Sequence, residues 1–144
     1  MRKHTTLLAL TIALGGCATG YHDTRNPLTG WTGGYWDQPG PGQLVKVGFD
    51  GNGYIDNETI NAYLMYHCAE LALQRHKAYF RMYPSLPEAI RDRPVQQLAI
   101  GRVGGKLDDW MFVLFDDREL PGDLSAVAVK QRYESYVHAK AVHS

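Results

Sequence analysis

The feature that most constrains the fold is a helical pattern from residue 57 to about residue 75. At about 100° per residue, its apolar side chains form one contiguous stripe: Ile60, Leu64, Cys68 and Leu71. The arc opposite the stripe carries Tyr63, Tyr66, His67, Glu70 and Gln74. The pattern therefore predicts a helix that packs on a sheet and shows water a narrow polar face.

Strand patterns lie on both sides of this helix. Residues 43–49 alternate, with Val45, Val47 and Phe49 on one side, and residues 78–83 alternate as well. Asp56 is the predicted N-cap, because an aspartate at this position can accept a backbone N–H of the first turn. The order strand, helix, strand favours a layered domain.

The remaining segments add shorter elements. We expect a strand around residues 34–37, a turn at 39–42 and a helical turn within 85–94. Residues 96–115 suggest a hairpin around Gly104-Gly105, with WMFVLF as the central strand. Asp123 is expected to cap a last helix over about 124–138, although AVAV also has strand character. The fold class is therefore α+β: a small, mostly antiparallel sheet of four to five strands packed against one main helix, with a possible C-terminal helix.

The first residues are typical of a secretory signal. Arg2 and Lys3 precede an apolar run over 7–14, which is shorter than the ~20 residues that span a bilayer. Leu14-Gly15-Gly16-Cys17 resembles the lipobox of bacterial lipoproteins. That resemblance implies cleavage after Gly16 and lipidation of Cys17, and Ala18 in the next position favours the outer membrane. An uncleaved signal or a chance cysteine are the alternatives.

Three segments follow from this pattern. Residues 1–16 are the predicted signal peptide, 17–30 the lipidated Cys17 and a tether, and 31–144 a single periplasmic α+β domain. The formal net charge is +0, and a nucleic-acid partner would need a basic patch, so none is expected. If Cys17 is lipidated, Cys68 is the one remaining cysteine. It is interpreted either as a buried apolar residue or as a thiol that pairs with a partner chain.

DGNGYID, residues 50–56, resembles the middle of an EF-hand calcium loop. If Gly53 is the obligatory sixth position, then Gly48 and Thr59 occupy the first and twelfth positions, where acidic ligands are needed. A true EF-hand is therefore not expected. An irregular cation site remains open, with Asp50, Asn52 and Asp56 as its candidate metal ligands. The other interpretation is a turn that glycines permit.

Other chemical groupings are sparse. His67 and Glu70 lie three residues apart and can offer two metal ligands, whereas a site needs three or four. Asp108-Asp109 and Asp116-Asp117 flank the apolar strand, and a solvent-lined pocket that holds Asp109 or Asp116 beside His67 would favour an enzyme. Because no catalytic grouping is evident, we expect a chain that is not an enzyme and has no cofactor.

Residues 33 to about 80 resemble a family of small proteobacterial outer-membrane lipoproteins of uncharacterised function. The resemblance is carried by Gly-Gly-Tyr before a strand, by a Phe-x-Gly-Asn-Gly-Tyr turn, by an Ala-Glu-Leu helix and by a Tyr-Phe strand. The residues of the motif turn are Phe49, Gly51, Asn52, Gly53 and Tyr54. The resemblance implies that this turn is a feature of the family's fold. The family has no known catalytic residues to transfer to this chain.

The expected function is that of an outer-membrane-anchored, non-enzymatic component of the cell envelope. The lipid anchor is expected to attach the protein to the membrane. Its domain is expected to bind an envelope protein or peptidoglycan. The alternative is a periplasmic domain that binds a cation or small ligand at the 50–56 turn. A contiguous surface patch around Trp31, Trp36 and Tyr54 would favour a partner site.

Overall fold

The structure is a computed structural model that describes residues 19–28, 30, 33–52, 54–97 and 108–141. Within them, the strands are β1 (Gly34–Pro39), β2 (Val45–Asp50), β3 (Tyr79–Tyr83), β4 (Asp108–Asp116) and β5 (Leu124–Ser125). The helices are α1 (Asn57–Gln74), α2 (Leu86–Ile90) and α3 (Ala126–Ala141). Most of the first half of the predicted hairpin and its Gly104-Gly105 turn lie outside the described residues, as do Cys17, Trp31 and Gly53.

The described strands form one sheet in the order β1-β2-β4-β3-β5. Each neighbouring pair is antiparallel. The predicted α+β class is therefore confirmed, and β4 lies in the middle of the sheet as its apolar sequence indicated. The crossing order, in which β4 separates β2 from β3, places the most apolar strand where both of its edges are paired.

Helix α1 begins where the sequence predicts. A side-chain oxygen of Asp56 accepts the backbone N–H of Thr59 at 2.7 Å. The helix packs its apolar stripe on one face of the sheet, which we call the inner face. The fully buried side chains on that face come from three strands: Val47, Phe49, Phe80, Met82, Met111 and Val113. Each contributes roughly 1.5–3 kcal/mol by leaving water.

The predicted polar face of α1 is wrong. Tyr63, Tyr66 and His67 are 1%, 3% and 5% exposed. Helix α3 covers part of this arc, with the Tyr136 hydroxyl 2.9 Å from the Thr59 hydroxyl. Tyrosine and histidine present an apolar body as well as a polar tip, so residues that look polar in the sequence can be buried.

Part of the segment predicted as a tether is packed on the domain. The Tyr35 N–H donates to the His22 carbonyl at 2.8 Å, and the Thr24 N–H donates to the Tyr35 carbonyl at 3.0 Å. This parallel contact lies along the free edge of β1. Thr19, at the start of the described segment, is only 2% exposed.

The predicted cap of the last helix is also wrong. Helix α3 begins at Ala126, and the Ser125 hydroxyl accepts the Ala128 N–H at 3.4 Å. Asp123 is held elsewhere, because its Oδ1 lies 2.6 Å from Nε of Arg81, a buried cation on β3. Residues 124–125 form the short strand β5, whereas AVAV, residues 126–129, is the first turn of α3 despite its strand character.

Among the described residues, no helix combines the length and the apolarity that a membrane-spanning segment requires.

Candidate functional site

The outer face of the sheet, opposite α1, carries a group of aromatic and cationic side chains. In the strand register, Trp36 of β1 lies opposite Gly48 of β2, and Gly48 lies opposite Trp110 of β4. Lys46 lies two positions before Gly48 and therefore points to the same side. We call Trp36, Lys46 and Trp110 the aromatic face.

Gly48 fixes the position of the first indole. A Cβ at Gly48 would lie 2.2 Å from the ring of Trp36, so the ring rests directly on the strand because this residue is glycine. The indole N–H of Trp36 donates to Oδ1 of Asp50 at 3.0 Å. The contact with the glycine and the hydrogen bond together hold the ring flat on the sheet.

Lys46 is held between the two indole rings. Its ammonium lies 3.9 Å from the centre of the Trp110 ring and 5.6 Å from that of Trp36. Phe112 meets Trp110 edge to face, with 5.5 Å between ring centres. Trp110 itself remains 41% exposed. A cation held by aromatic rings is a rigid, amphipathic surface that can stack on a ligand and contact its anionic or acceptor groups.

An apolar cavity of about 410 Å³ lies farther along the outer face. Tyr83, Leu86, Ile90 and Leu114 line it together with the β1–β2 turn. Ile90 is 78% exposed there. The cavity extends the available apolar surface beyond the aromatic face, toward the end of the sheet that is farther from the 50–56 turn.

The structure gives each candidate calcium ligand an internal partner. Asp50 accepts the Trp36 indole N–H, a side-chain oxygen of Asn52 accepts the Tyr54 N–H at 3.1 Å, and Asp56 caps α1. In the described part of the chain, no group of three or more His, Cys, Asp and Glu residues could hold a metal. The cation site stays a prediction.

Tyr54 does not pack under α1. Its side chain is 70% exposed at the turn, and its backbone N–H donates to the Asn52 side chain. Trp36 lies on the aromatic face. Of the three aromatics expected to form a surface patch, the two that the structure describes, Trp36 and Tyr54, therefore lie at the same end of the sheet.

His67 and Glu70 are held by separate partners. The imidazole stacks on Tyr35 with 4.0 Å between ring centres, and its Nε2 lies 3.5 Å from Oδ1 of Asp37. Burial lowers the pKa of His67 to about 4, although Asp37 opposes this shift. Glu70 accepts the hydroxyl of Tyr21, whose pKa is raised by burial and by that hydrogen bond.

Asp116, one of the two carboxylates that could lie beside His67, is not near it. Asp116 lies on the outer face, with Oδ2 3.9 Å from a guanidinium nitrogen of Arg81, whereas His67 lies on the inner side. The side chains of Asp108 and Asp109 are outside the described residues. Cys68 is fully buried against the core, and burial raises its pKa to about 12. This agrees with the apolar interpretation of that cysteine.

Sequence reasoning missed Lys46 and Trp110 as parts of a site. Both were assigned to strands. The alternation of residues 43–49 places Lys46 away from the apolar side, whereas Trp110 begins the continuous apolar run WMFVLF. The crossing order of the sheet then makes β2 and β4 neighbours and brings these residues together. The available signal was limited to Lys46, whose side chain alternates away from Val45, Val47 and Phe49.

The chain matches no protein-family model, and no curated protein or solved structure is significantly similar to it.

Proposed function

We propose that this chain is a non-enzymatic, lipid-anchored component of the outer membrane, and that its periplasmic domain binds an envelope protein or a cell-wall polymer through the aromatic face. The observation that carries the binding proposal is the Lys46 ammonium between the rings of Trp36 and Trp110. Such a cation has no role in the core, because α1 and the buried apolar residues lie on the other face of the sheet.

The chemistry of the face suits recognition. Tryptophan is enriched at the residues that dominate binding energy, since it offers a large rigid area. Trp36 is already held in place, so little conformational entropy is lost when a ligand stacks there. The nearest described carboxylate, Asp50, is occupied by the indole N–H of Trp36. These features favour binding over acid/base catalysis.

The anchor is proposed from the sequence alone. A basic start, a short apolar run and the Leu14-Gly15-Gly16-Cys17 pattern support lipidation of Cys17. Each buried methylene of an acyl chain contributes about 0.8 kcal/mol, so several chains on one cysteine hold the protein at the membrane. Anchoring confines the aromatic face to the layer that contains its proposed partners.

Substitution Cys17→Ser tests the anchor. We expect the full-length variant to incorporate no labelled fatty acid and to leave the membrane fraction, because the acylated sulfur is absent. Cys68→Ala is the matched control, since it removes the other cysteine, and it should keep both label and fractionation. Unchanged processing and fractionation of Cys17→Ser would reject the lipoprotein proposal.

A further inference from the structure

The described chain begins at one end of the sheet, where it is firmly held. The Thr19 hydroxyl accepts the backbone N–H of Asn52 at 2.9 Å. A Cβ on Gly33 would lie 3.1 Å from the Thr19 methyl group. Thr19 is therefore packed between the start of β1 and the turn that follows β2, next to the 50–56 motif.

Chain length places the proposed anchor beside that end. Only Ala18 stands between Cys17 and Thr19. Two steps between consecutive Cα atoms reach at most about 7.6 Å, whatever their conformation. A lipidated Cys17 therefore keeps its own Cα within about 8 Å of the Cα of Thr19. Because Thr19 is bonded to Asn52, the anchor attaches at the Asn52 end of the sheet.

Tyr54 projects from the same end. Its backbone N–H is bonded to Asn52, the residue that also donates to Thr19, and its ring is 70% exposed. The turn itself uses the glycines and Asn52, and nothing in its hydrogen bonding requires an aromatic ring. Tyrosine has an apolar ring and a polar hydroxyl, which is why it is enriched at the membrane–water interface.

We propose that the phospholipid surface around the anchor is the partner of this end of the domain, and that the Tyr54 ring inserts into it. The inference rests on the proposed lipidation of Cys17. Asp56 and Glu58 are exposed nearby, so the contact depends on the ring and suits a mainly zwitterionic surface better than an anionic one.

This contact fixes the orientation of the domain relative to the membrane. With the tether packed from Thr19 onward, the domain cannot swing on a flexible linker. The row of Trp36, Gly48 and Trp110 lies two residues from Asp50 along β2, about 7 Å farther from the anchored end. Docking through Tyr54 therefore holds the aromatic face close to the membrane at a fixed height.

Two cysteine substitutions that keep the Tyr54 ring test the contact in the full chain: Asn57→Cys, at an exposed position directly after the 50–56 turn, and Ile90→Cys as the matched control. Ile90 is also exposed, at 78%, but borders the β1–β2 turn at the opposite end of the sheet. Each is made in the lipidated protein, bound to vesicles of phosphatidylethanolamine with a little phosphatidylglycerol, and in the Cys17→Ser protein in solution. The measured quantity is the rate of reaction with a membrane-impermeant maleimide. Cys68 adds no background, because it is buried and its thiol pKa is raised to about 12.

We expect Asn57→Cys to react several-fold more slowly on vesicles than in solution, and Ile90→Cys to react equally in both. Equal rates for Asn57→Cys, with Cys17 itself unreactive, would overturn the docking inference and leave the anchor standing. If Cys17 reacts with the maleimide, the lipidation proposal fails and the docking inference fails with it. The reactivity of Cys17 thus separates the two failures.

Discussion

Arg81→Ala is expected to lower the free energy of unfolding by about 3–5 kcal/mol. Arg81 is 7% exposed, and its Nε lies 2.6 Å from Oδ1 of Asp123, whose side chain is fully buried. Asp92 and Asp116 lie 3.1 Å and 3.9 Å from the same guanidinium. Without the cation, Asp123 stays buried without a counter-charge, and three carboxylates repel one another. Urea unfolding followed by circular dichroism measures the change.

Lys77→Ala is the matched control for Arg81→Ala. Lys77 pairs with Asp117 at 2.6 Å, but these side chains are 35% and 63% exposed. We therefore expect a change of about 0–1 kcal/mol. The double variant Arg81→Met with Asp123→Leu removes both charges and should recover much of the lost stability. An Arg81→Ala protein as stable as Lys77→Ala would contradict the role given to this buried pair.

The pH dependence of stability provides the second large effect, and it comes from His67. Burial lowers the pKa of His67 from 6.5 to about 4, against the attraction of Asp37 and Asp23. Between these pH values the unfolded chain binds the proton that the folded chain excludes. His67 therefore adds no penalty above pH 7, and it lowers the free energy of unfolding by about 3 kcal/mol as the pH falls from about 6.5 to 4.

Urea unfolding at several pH values between 7 and 4 isolates this contribution. His67→Phe keeps a ring against Tyr35 and removes the titrating group, so its stability should fall less steeply with decreasing pH. His76→Phe is the control, because His76 is exposed, and it should keep the slope of the unsubstituted protein. Identical slopes for the His67 and His76 variants would show that the buried imidazole does not carry the effect.

Local patterns predicted the elements well. The alternation around Val47 and the apolar stripe of α1 reflect burial against one surface, which periodicity records directly. Asp56 was predicted as a cap because capping involves neighbours along the chain. Asp123 was misassigned because its partner, Arg81, is distant in sequence. The sequence pattern around a buried charge on a strand does not indicate which distant carboxylate will neutralise that charge.

The surroundings of α1 were harder to predict for a related reason. A helical pattern identifies the side that packs on the sheet, but it does not reveal that α3 and residues 19–24 cover the other side. Tyr63 and His67 look suited to water and are buried. Likewise, Lys46 and Trp110 became neighbours only through the strand order, so the aromatic face could not be assembled from sequence spacing.

Photo-crosslinking in cells is the most direct test of the aromatic face as a binding surface. A photoreactive amino acid replaces Gln38, which is exposed and pairs with Lys46 across the outer face, so the aromatic residues stay intact. We predict a reproducible adduct that Trp110→Ala abolishes and that Val127→Ala, a change at an exposed position on α3, preserves. An adduct of defined mass indicates a protein partner, and one released by muramidase indicates the cell wall. No adduct, or an adduct that survives Trp110→Ala, would contradict the proposed function.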